Sequence, residues 1–238
     1  MIFYYIRHGD PIYSPDSLTP LGMRQAEAVA KRLSVYGLDK IYASTSNRAR
    51  LTAQPTCEVL KKEMELLDFA NEGYAWNDFT IERDGNKRWI FQDDDCMDLF
   101  TRDATVRYSE KWYEHPQIKQ YDFGKGVERI YRESDGFFKT LGYEHIRGTG
   151  RYNITEPKYQ RVALFAHQGF GMAFMSTILD IPLPLMYTHF DICHSSVTVI
   201  NFEERNGGFA IPRVLTLSND SHIYKEGYAT NYNNEIRI

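Results

Sequence analysis

Two histidines and two arginines of this chain lie in short polar segments that each follow a mostly apolar run. The segments are Arg7-His8-Gly9, the turn from Ser44 to Arg48, and His167-Gln168-Gly169. An imidazole nitrogen is a nucleophile or a proton carrier, while a guanidinium matches phosphoryl oxygens bidentately and stays charged. Brought to one place, these four side chains would suit the binding of a phosphoryl group.

The runs before these segments are short and do not alternate, which is typical of strands buried on both faces of a parallel sheet. They extend over Ile2 to Ile6, Lys40 to Ala43 and Arg161 to Ala166. Ligands of open α/β sheets bind beyond the carboxyl ends of the strands. We therefore expect the three polar segments to meet at one edge of the sheet.

Helix signals separate these strands. Thr19 is a capping residue and Pro20 suits the first helical position, so a helix is predicted to begin there. A second helix begins at about Arg48, and Pro55 should kink or split it. With a third helix from Phe170 to Leu179, the alternation predicts an α/β fold, a three-layer α/β/α sandwich with a mostly parallel central sheet.

Two further regions depart from this alternation. Ser196 to Phe202 and Phe209 to Leu217, separated by Asn206-Gly207-Gly208, predict a hairpin at one edge of the sheet. Residues 77–152 are aromatic, charged and mostly helical in pattern. We interpret them as an insertion that serves in part as a lid on a single domain of residues 1–238.

The first polar segment carries a family resemblance. Phe3-Tyr4-Tyr5-Ile6-Arg7-His8-Gly9 resembles the hallmark of the histidine phosphatase superfamily, whose fold is phosphoglycerate-mutase-like. Further agreement comes from Leu18 to Gly22 with Gln25-Ala26, from Tyr42 to Ala53, and from Leu164 to Gly169. The resemblance covers residues 1–60 and 161–179 well, the middle poorly and the C-terminal part only in outline.

The resemblance implies a phosphatase of the histidine acid type, a phosphomonoesterase that works without metal or cofactor. Neutral His8 would attack phosphorus and form a phosphohistidine, which water then hydrolyses. Arg7, Arg48 and His167 would hold the phosphoryl oxygens, with Gln168 beside them.

The leaving-group oxygen also needs a proton, and similar enzymes take it from an acidic residue between the second arginine and the second histidine. Glu72 is the closest match in position, although the glycine spacing that follows the acid in the family is not reproduced. Asp78 and Glu82 stay as alternatives. His194 and Ser195, just before a predicted strand, are further candidates for the rim of the site.

Composition limits the partners. The 238 residues are 42% apolar with a net charge of −4, which is typical of a globular protein and does not favour nucleic acid. Three widely spaced cysteines argue against a disulfide framework and favour a reducing compartment. No apolar stretch approaches membrane-spanning length. We expect a cytoplasmic protein that acts on a small phosphorylated substrate.

Two other functions stay open. A phosphoglycerate mutase would share the pocket, but Asp10 to Ser14 has none of the Ser-x-Trp-Asn pattern and extra basic residues expected after Arg-His-Gly in such enzymes. A binding protein without catalysis would usually have lost His8 or an arginine. Phosphatase activity is therefore favoured over both.

Overall fold

The computed structural model describes residues 1–156 and 160–230. The strands are β1 (Ile2–Arg7), β2 (Pro11–Tyr13), β3 (Asp16–Leu18), β4 (Lys40–Ser44), β5 (Met64–Leu67), β6 (Thr80–Arg83), β7 (Asn86–Trp89), β8 (Tyr143–Ile146), β9 (Arg151–Ile154), β10 (Arg161–Ala166), β11 (Val197–Arg205) and β12 (Phe209–Asn219). The α-helices are α1 (Pro20–Tyr36), α2 (Asn47–Leu60), α3 (Glu72–Asp78), α4 (Asp94–Arg102), α5 (Ala104–Arg107), α6 (Phe123–Thr140), α7 (Gln168–Leu179), α8 (Leu183–His189) and α9 (Ser221–Lys225).

One sheet of eight strands organises the fold, in the order β5-β4-β10-β1-β11-β12-β9-β8. The strands from β5 to β1 pair in parallel, and every pair from β1 to β8 is antiparallel. The predicted α/β fold is confirmed, but the prediction of a mostly parallel sheet is wrong, because the sheet is mixed. The short turns that join β11 to β12 and β8 to β9 allow only antiparallel pairing.

The predicted hairpin forms as β11 and β12, but not at an edge. β11 pairs with β1, and β12 pairs with β9, so the sheet continues on both sides of the hairpin. The edge prediction is therefore wrong, because β8 and β9 arise from a part of the chain whose sequence pattern did not indicate strands.

Helices cover both faces of the sheet. Side chains of β1 alternate between them: Phe3 and Tyr5 join a core cluster with α6 and α7, whereas Tyr4 and Ile6 join one with α1 and α2. The apolar side chains of β1 are therefore buried on both faces of the sheet. This is the environment that its unalternating sequence predicts.

Two helix starts near the N-terminus follow from local sequence. The hydroxyl of Thr19 accepts a hydrogen bond from the backbone N–H of Gly22 at 3.0 Å, and Pro20 is the first residue of α1. α2 begins at Asn47, one residue before the predicted start, and continues through Pro55 to Leu60. The predicted split of this helix is therefore not observed.

Residues 77–152 contribute to the main layers as well as to the surface. α6 places Phe137 and Phe138 against Phe3 of the central strand, with ring centroids 6.2 and 5.4 Å apart. β8 and β9 extend the sheet. The β6–β7 hairpin, α4 and α5 precede these core elements, and the interpretation of the segment as an insertion and partial lid stays a prediction. Within the described ranges, no helix has the length and apolar character needed to cross a membrane.

The end of the sheet is tied to the helices by His145 of β8. Its side chain is fully buried, with Nδ1 2.9 Å from the Asp135 carboxylate of α6 and Nε2 3.1 Å from that of Asp180 after α7. Burial alone lowers the pKa of His145, but the hydrogen bonds to Asp135 and Asp180 outweigh it and raise the pKa to about 9. The ring also stacks on Tyr152, with centroids 4.3 Å apart.

This imidazolium should make stability depend on pH. Because the folded pKa of about 9 exceeds the ordinary value of 6.5, the stabilisation is complete below pH 6.5 and is lost as pH rises through about 9. A shift of that size corresponds to roughly 3 kcal/mol. Urea unfolding at pH 6.5 and 9.5 should show that loss in the wild type and a much smaller one in His145→Gln. Equal pH dependence in both proteins would contradict the role of the charge.

Candidate active site

His8 follows β1, and its backbone is fixed on both sides. Its N–H donates to the carbonyl of Ala166 at 2.9 Å, and its own carbonyl accepts from the N–H of Ser195 at 2.9 Å. The ring Nδ1 lies 2.7 Å from the carbonyl oxygen of Gly9, which can only accept a hydrogen bond. Nδ1 therefore carries the proton, and the lone pair of the ring is on Nε2.

The environment also keeps this ring neutral. The side chain is buried, and burial is the main cause that holds the pKa of His8 well below its usual value. The nearby His167, Arg7 and Arg48 lower it further, in that order. A neutral imidazole with an available Nε2 lone pair is the form in which histidine acts as a nucleophile.

The turn after His8 depends on two glycines. A Cβ atom on Gly9 would lie 2.7 Å from the carbonyl oxygen of Gly22, and one on Gly22 would lie 2.2 Å from that of Asp10. The N–H of Gly9 donates to the hydroxyl of Thr52 at 2.9 Å. The loop after β1 thus packs directly against the start of α1, which explains why these small residues occur there.

Arg7, at the end of β1, is 4% exposed and is held in place by the loop before β11. Its Nη1 donates to the carbonyl of Ile192 at 2.6 Å, and its Nη2 lies 2.8 Å from Nε2 of His194. Because a guanidinium can only donate, His194 accepts through Nε2. Burial and the charge of Arg7 lower the pKa of His194 to about 3, so that ring is neutral as well.

Arg48 lies in the first turn of α2 and forms an ion pair with Asp16, Nη1 to Oδ1 at 2.8 Å. The second Asp16 oxygen accepts from the backbone N–H of Asn47 at 2.7 Å, so this carboxylate also occupies the N-terminus of α2. Tyr13 lies over the guanidinium, 5.5 Å from its centre. The Nε of Arg48 is buried and has no hydrogen-bond partner among the described residues.

His167 directly follows β10, is the N-cap residue of α7 and lies one layer below the surface of the site, with no exposed area. Tyr5 fixes its backbone: the hydroxyl donates to the carbonyl of His167 at 2.5 Å and accepts from its N–H at 3.1 Å. Nε2 of the ring lies 2.8 Å from the hydroxyl of Ser44 and 3.2 Å from that of Ser46. Burial, then Arg48 and Arg7, hold the pKa of His167 well below its usual value.

Glu72 is the first residue of α3 and reaches the start of α7. Its two carboxylate oxygens accept from the N–H groups of Gly169 and Phe170 at 2.9 and 3.1 Å. Burial raises the pKa of Glu72, against the lowering effect of these two hydrogen bonds and of Arg48 and Arg7. A raised pKa extends the pH range over which this carboxyl group keeps a proton to donate.

Trp89 closes the site beside this carboxyl group. A Cβ atom on Gly169 would lie only 2.4 Å from Cη2 of the indole, so the ring fits there because residue 169 is glycine. The Trp89 ring also meets the ring of Trp76 edge-on, with centroids 5.1 Å apart. Both indoles line the site together with Glu72.

A cavity of about 700 Å³ joins these groups. Its lining includes Arg7, His8, Tyr13, Asp16, Thr45, Ser46, Asn47, Arg48, Asn71, Glu72, Gly73, Trp76, Trp89 and Gln168. His167 lies behind this surface, with its ring centroid 5.2 Å from that of His8. Gln168 lines the cavity while its amide donates to the carboxylate of Asp191.

The structure therefore brings together all the residues predicted for the site, but not the alternative acids. Asp78 forms an ion pair with Arg129 at 2.6 Å, and Glu82 is exposed on the β6–β7 hairpin. Of the two rim candidates, His194 contacts Arg7. Ser195 is buried, and its hydroxyl oxygen lies 3.0 Å from Nε2 of His222.

Sequence reasoning missed Asp16 and Trp89. Asp16 is the first residue of β3, but the short proline-containing sequence around it shows no helix or strand period. Trp89 lies in the region of weak family resemblance. The available sequence signal for Asp16 was its place shortly before Thr19, the capping residue of α1.

Two arginines, two neutral imidazoles and a carboxyl group of raised pKa, gathered at the carboxyl ends of parallel strands, form a site suited to a phosphoryl group. Comparison with known proteins agrees with this chemistry. The model of the histidine phosphatase superfamily (branch 1) matches residues 3–92, which include Arg7, His8, Arg48 and Glu72. The predicted resemblance to this superfamily is thereby confirmed.

Individual relatives extend over most of the chain. Phosphoserine phosphatase 1 of Hydrogenobacter thermophilus is 24% identical over 209 residues, which cover 84% of this chain and 86% of that protein. A phosphoserine phosphatase mutant from Entamoeba histolytica, solved in complex with phosphoserine, has a TM-score of 0.59 at 18% identity and covers 93% of this chain and 98% of that one. The mycobacterial glucosyl-3-phosphoglycerate phosphatase complexed with VO3 has a TM-score of 0.58 at 18% identity, with 91% and 98% covered. At these identities the structural likeness establishes the shared fold.

The contact between Gly169 and Trp89 can be tested directly. In Gly169→Ala the new methyl group should displace the indole and cost about 1–3 kcal/mol of unfolding free energy, as overpacking of a tight contact does. The displaced indole should become more accessible to water, so an aqueous quencher should reduce tryptophan fluorescence more strongly than in the wild type. Gly136→Ala is the matched control, because Gly136 lies exposed in α6 with nothing within 4 Å of a Cβ atom, and should gain up to about 1 kcal/mol. Equal stability of the two variants would show that the contact is loose.

Proposed function

We propose that the protein is a phosphomonoesterase in which His8 is the nucleophile. The observation that carries this proposal is the hydrogen bond from Nδ1 of His8 to the carbonyl of Gly9, which directs the lone pair of a neutral, buried ring to Nε2. The phosphatase relatives and the phosphohistidine chemistry general to the superfamily support the same conclusion.

In the first step, Nε2 of His8 forms a bond to phosphorus while the bond between phosphorus and the ester oxygen breaks. Arg7 and Arg48 bind the phosphoryl oxygens and stabilise their charge. The buried ring of His167 acts from behind the cavity surface: when Ser44 donates to its Nε2, its Nδ1 carries the proton, and the ring adds to the electrostatic stabilisation of the phosphoryl charge without direct contact. Glu72 gives its proton to the leaving alcohol.

In the second step, the Glu72 carboxylate takes a proton from water, and the water oxygen attacks phosphorus. The bond between nitrogen and phosphorus breaks, inorganic phosphate leaves, and His8 returns to its neutral form with Glu72 protonated. The cycle needs no metal or organic cofactor, because the guanidinium groups supply the positive charge.

The start of α7 shapes this mechanism. A helix N-terminus commonly binds phosphate through backbone N–H groups. Here two of those N–H groups bind Glu72. We therefore assign phosphate binding mainly to side chains, and we place Glu72 at the edge of the phosphoryl site. Gln168 remains part of the proposed phosphate pocket through its place in the cavity lining.

We also take residues 1–238 as one domain, with the β6–β7 hairpin and α4 as its partial lid. Trp89 of this hairpin lines the cavity. Trp89 and Met97 of α4 both pack against the core cluster that contains Phe3 and Tyr5. A small phosphorylated metabolite in the cytoplasm is the substrate expected for such a site. Phosphoserine and glucosyl-3-phosphoglycerate, named for the relatives, are the first compounds to assay.

The nucleophile is tested by hydrolysis of 4-nitrophenyl phosphate in the presence of a chelator. We expect turnover by the wild type to persist and His8→Ala to lose at least about 1,000-fold in kcat. Circular dichroism would verify that the variant is folded. Loss of wild-type activity on chelation, or retained activity in a folded His8→Ala protein, would contradict the proposal.

Glu72→Gln tests the proton donor through the choice of leaving group. For an alkyl ester such as phosphoserine, whose alkoxide needs a proton, kcat should fall by about 100-fold or more. For 4-nitrophenyl phosphate, whose leaving group needs little protonation, the loss should stay below about 10-fold.

The pH profile gives a second reading of the same variant. In the wild type, kcat/KM on alkyl esters should fall as pH rises through the raised pKa of Glu72, since the acid is then deprotonated. Glu72→Gln should lack this falling limb. Equal losses on both esters with an unchanged pH profile would assign the proton to another group.

A further inference from the structure

A second cavity of about 590 Å³ opens onto the phosphoryl site. The two cavities share Arg7, Tyr13, Trp89 and Gln168 in their linings. A phosphoryl group bound by Arg7 would therefore lie at the mouth of a chamber large enough for the rest of a metabolite. We call this second cavity the side chamber.

Aromatic rings form much of the side chamber. Trp89 and Phe91 stack at 5.4 Å with 17° between their planes, and Phe91 meets Tyr187 at 4.9 Å. Phe190, also in the lining, is 42% exposed, and Tyr13, which is shared with the phosphoryl site, is 70% exposed. Partly exposed rings gathered around one cavity are typical of a surface that a ligand covers.

Polar and charged side chains that line the side chamber already have hydrogen-bond partners. The carboxylate of Asp191 accepts from the amide of Gln168 and from the N–H of Ile192. Nε2 of His189 lies 2.8 Å from the guanidinium of Arg107. Arg7 is bound to Ile192 and His194. A small zwitterion such as serine would have to displace these contacts, whereas an uncharged planar ring would use the aromatic surface as it stands.

We propose that the side chamber binds an uncharged planar ring carried by the alcohol of the substrate, as in a nucleoside 5′-monophosphate. This inference rests on the proposed phosphatase function and names its substrate class. The exposed rings of Tyr13 and Phe190 present the stacking surface, and the stacked pair of Trp89 and Phe91 is a further aromatic part of the lining. Gly169 makes room for Trp89, which lines both the phosphoryl site and the chamber. Base stacking on aromatic side chains tolerates different bases, since each presents a flat π face.

The test compares adenosine 5′-monophosphate with ribose 5-phosphate, because both release the same kind of primary alcohol and differ in the ring. We expect kcat/KM to be at least about 10-fold higher for adenosine 5′-monophosphate, the size of effect that stacking of one base produces. It should also exceed the value for phosphoserine. The ratio of kcat/KM for the two ribose compounds is the quantity to follow in variants.

Phe91→Leu and Phe190→Leu remove a ring while keeping an apolar side chain, and each should lower that ratio several-fold. Phe190 is partly exposed, so its variant should keep the fold even if Phe91→Leu loses it. Phe209→Leu, in β12 and packed on Arg151, is the control and should leave the ratio unchanged.

The outcomes separate the two proposals. A ratio near one in the wild type, or a higher kcat/KM for phosphoserine, would overturn the ring-binding chamber while hydrolysis itself upholds the phosphatase. An unchanged ratio in folded Phe91→Leu and Phe190→Leu would also overturn it. If the protein hydrolyses neither these esters nor 4-nitrophenyl phosphate, both proposals are overturned.

Discussion

The hydrogen bond between Nδ1 of His8 and the carbonyl of Gly9 is the constraint on which the rest of the site depends. It selects the tautomer, and burial beside two guanidinium groups keeps that tautomer uncharged. The bond is possible because β10 and the loop before β11 fix the His8 backbone from both sides. The parallel and antiparallel halves of the sheet meet at β1, so both halves contribute to the position of one imidazole.

Carboxylates balance the positive charge around this ring. Asp16 binds Arg48 and the start of α2, and Glu72 binds the start of α7. Each carboxylate occupies backbone donors that would otherwise be open to an anion. The site therefore discriminates by side-chain geometry: a phosphoryl group must interact with the arginines at the one place where Nε2 of His8 can reach phosphorus. The raised pKa of Glu72 is a consequence of the same crowded, buried arrangement.

The parts that sequence predicted are those set by local pattern. Unalternating runs identified β1, β4 and β10, and the residues after them identified Arg7, His8, Arg48 and His167. What failed was long-range. The antiparallel half of the sheet is completed by β8 and β9: β9 pairs with β12, where Tyr152 is opposite Ala210, and β8 pairs with β9. No local period indicates so distant a partner for β9. Trp89 fits into the site because Gly169 has no side chain, and these two positions are far apart in sequence.

The most direct measurement is rapid acid-free quenching of the wild-type protein during turnover of a phosphomonoester, followed by mass spectrometry of its peptides under alkaline conditions. The account predicts one phosphoryl group on the peptide that contains His8, bound to ring nitrogen Nε2, appearing within the first turnover and absent from His8→Ala. Turnover with an unmodified His8 peptide at every quench time, or a phosphoryl group on a different residue, would contradict it.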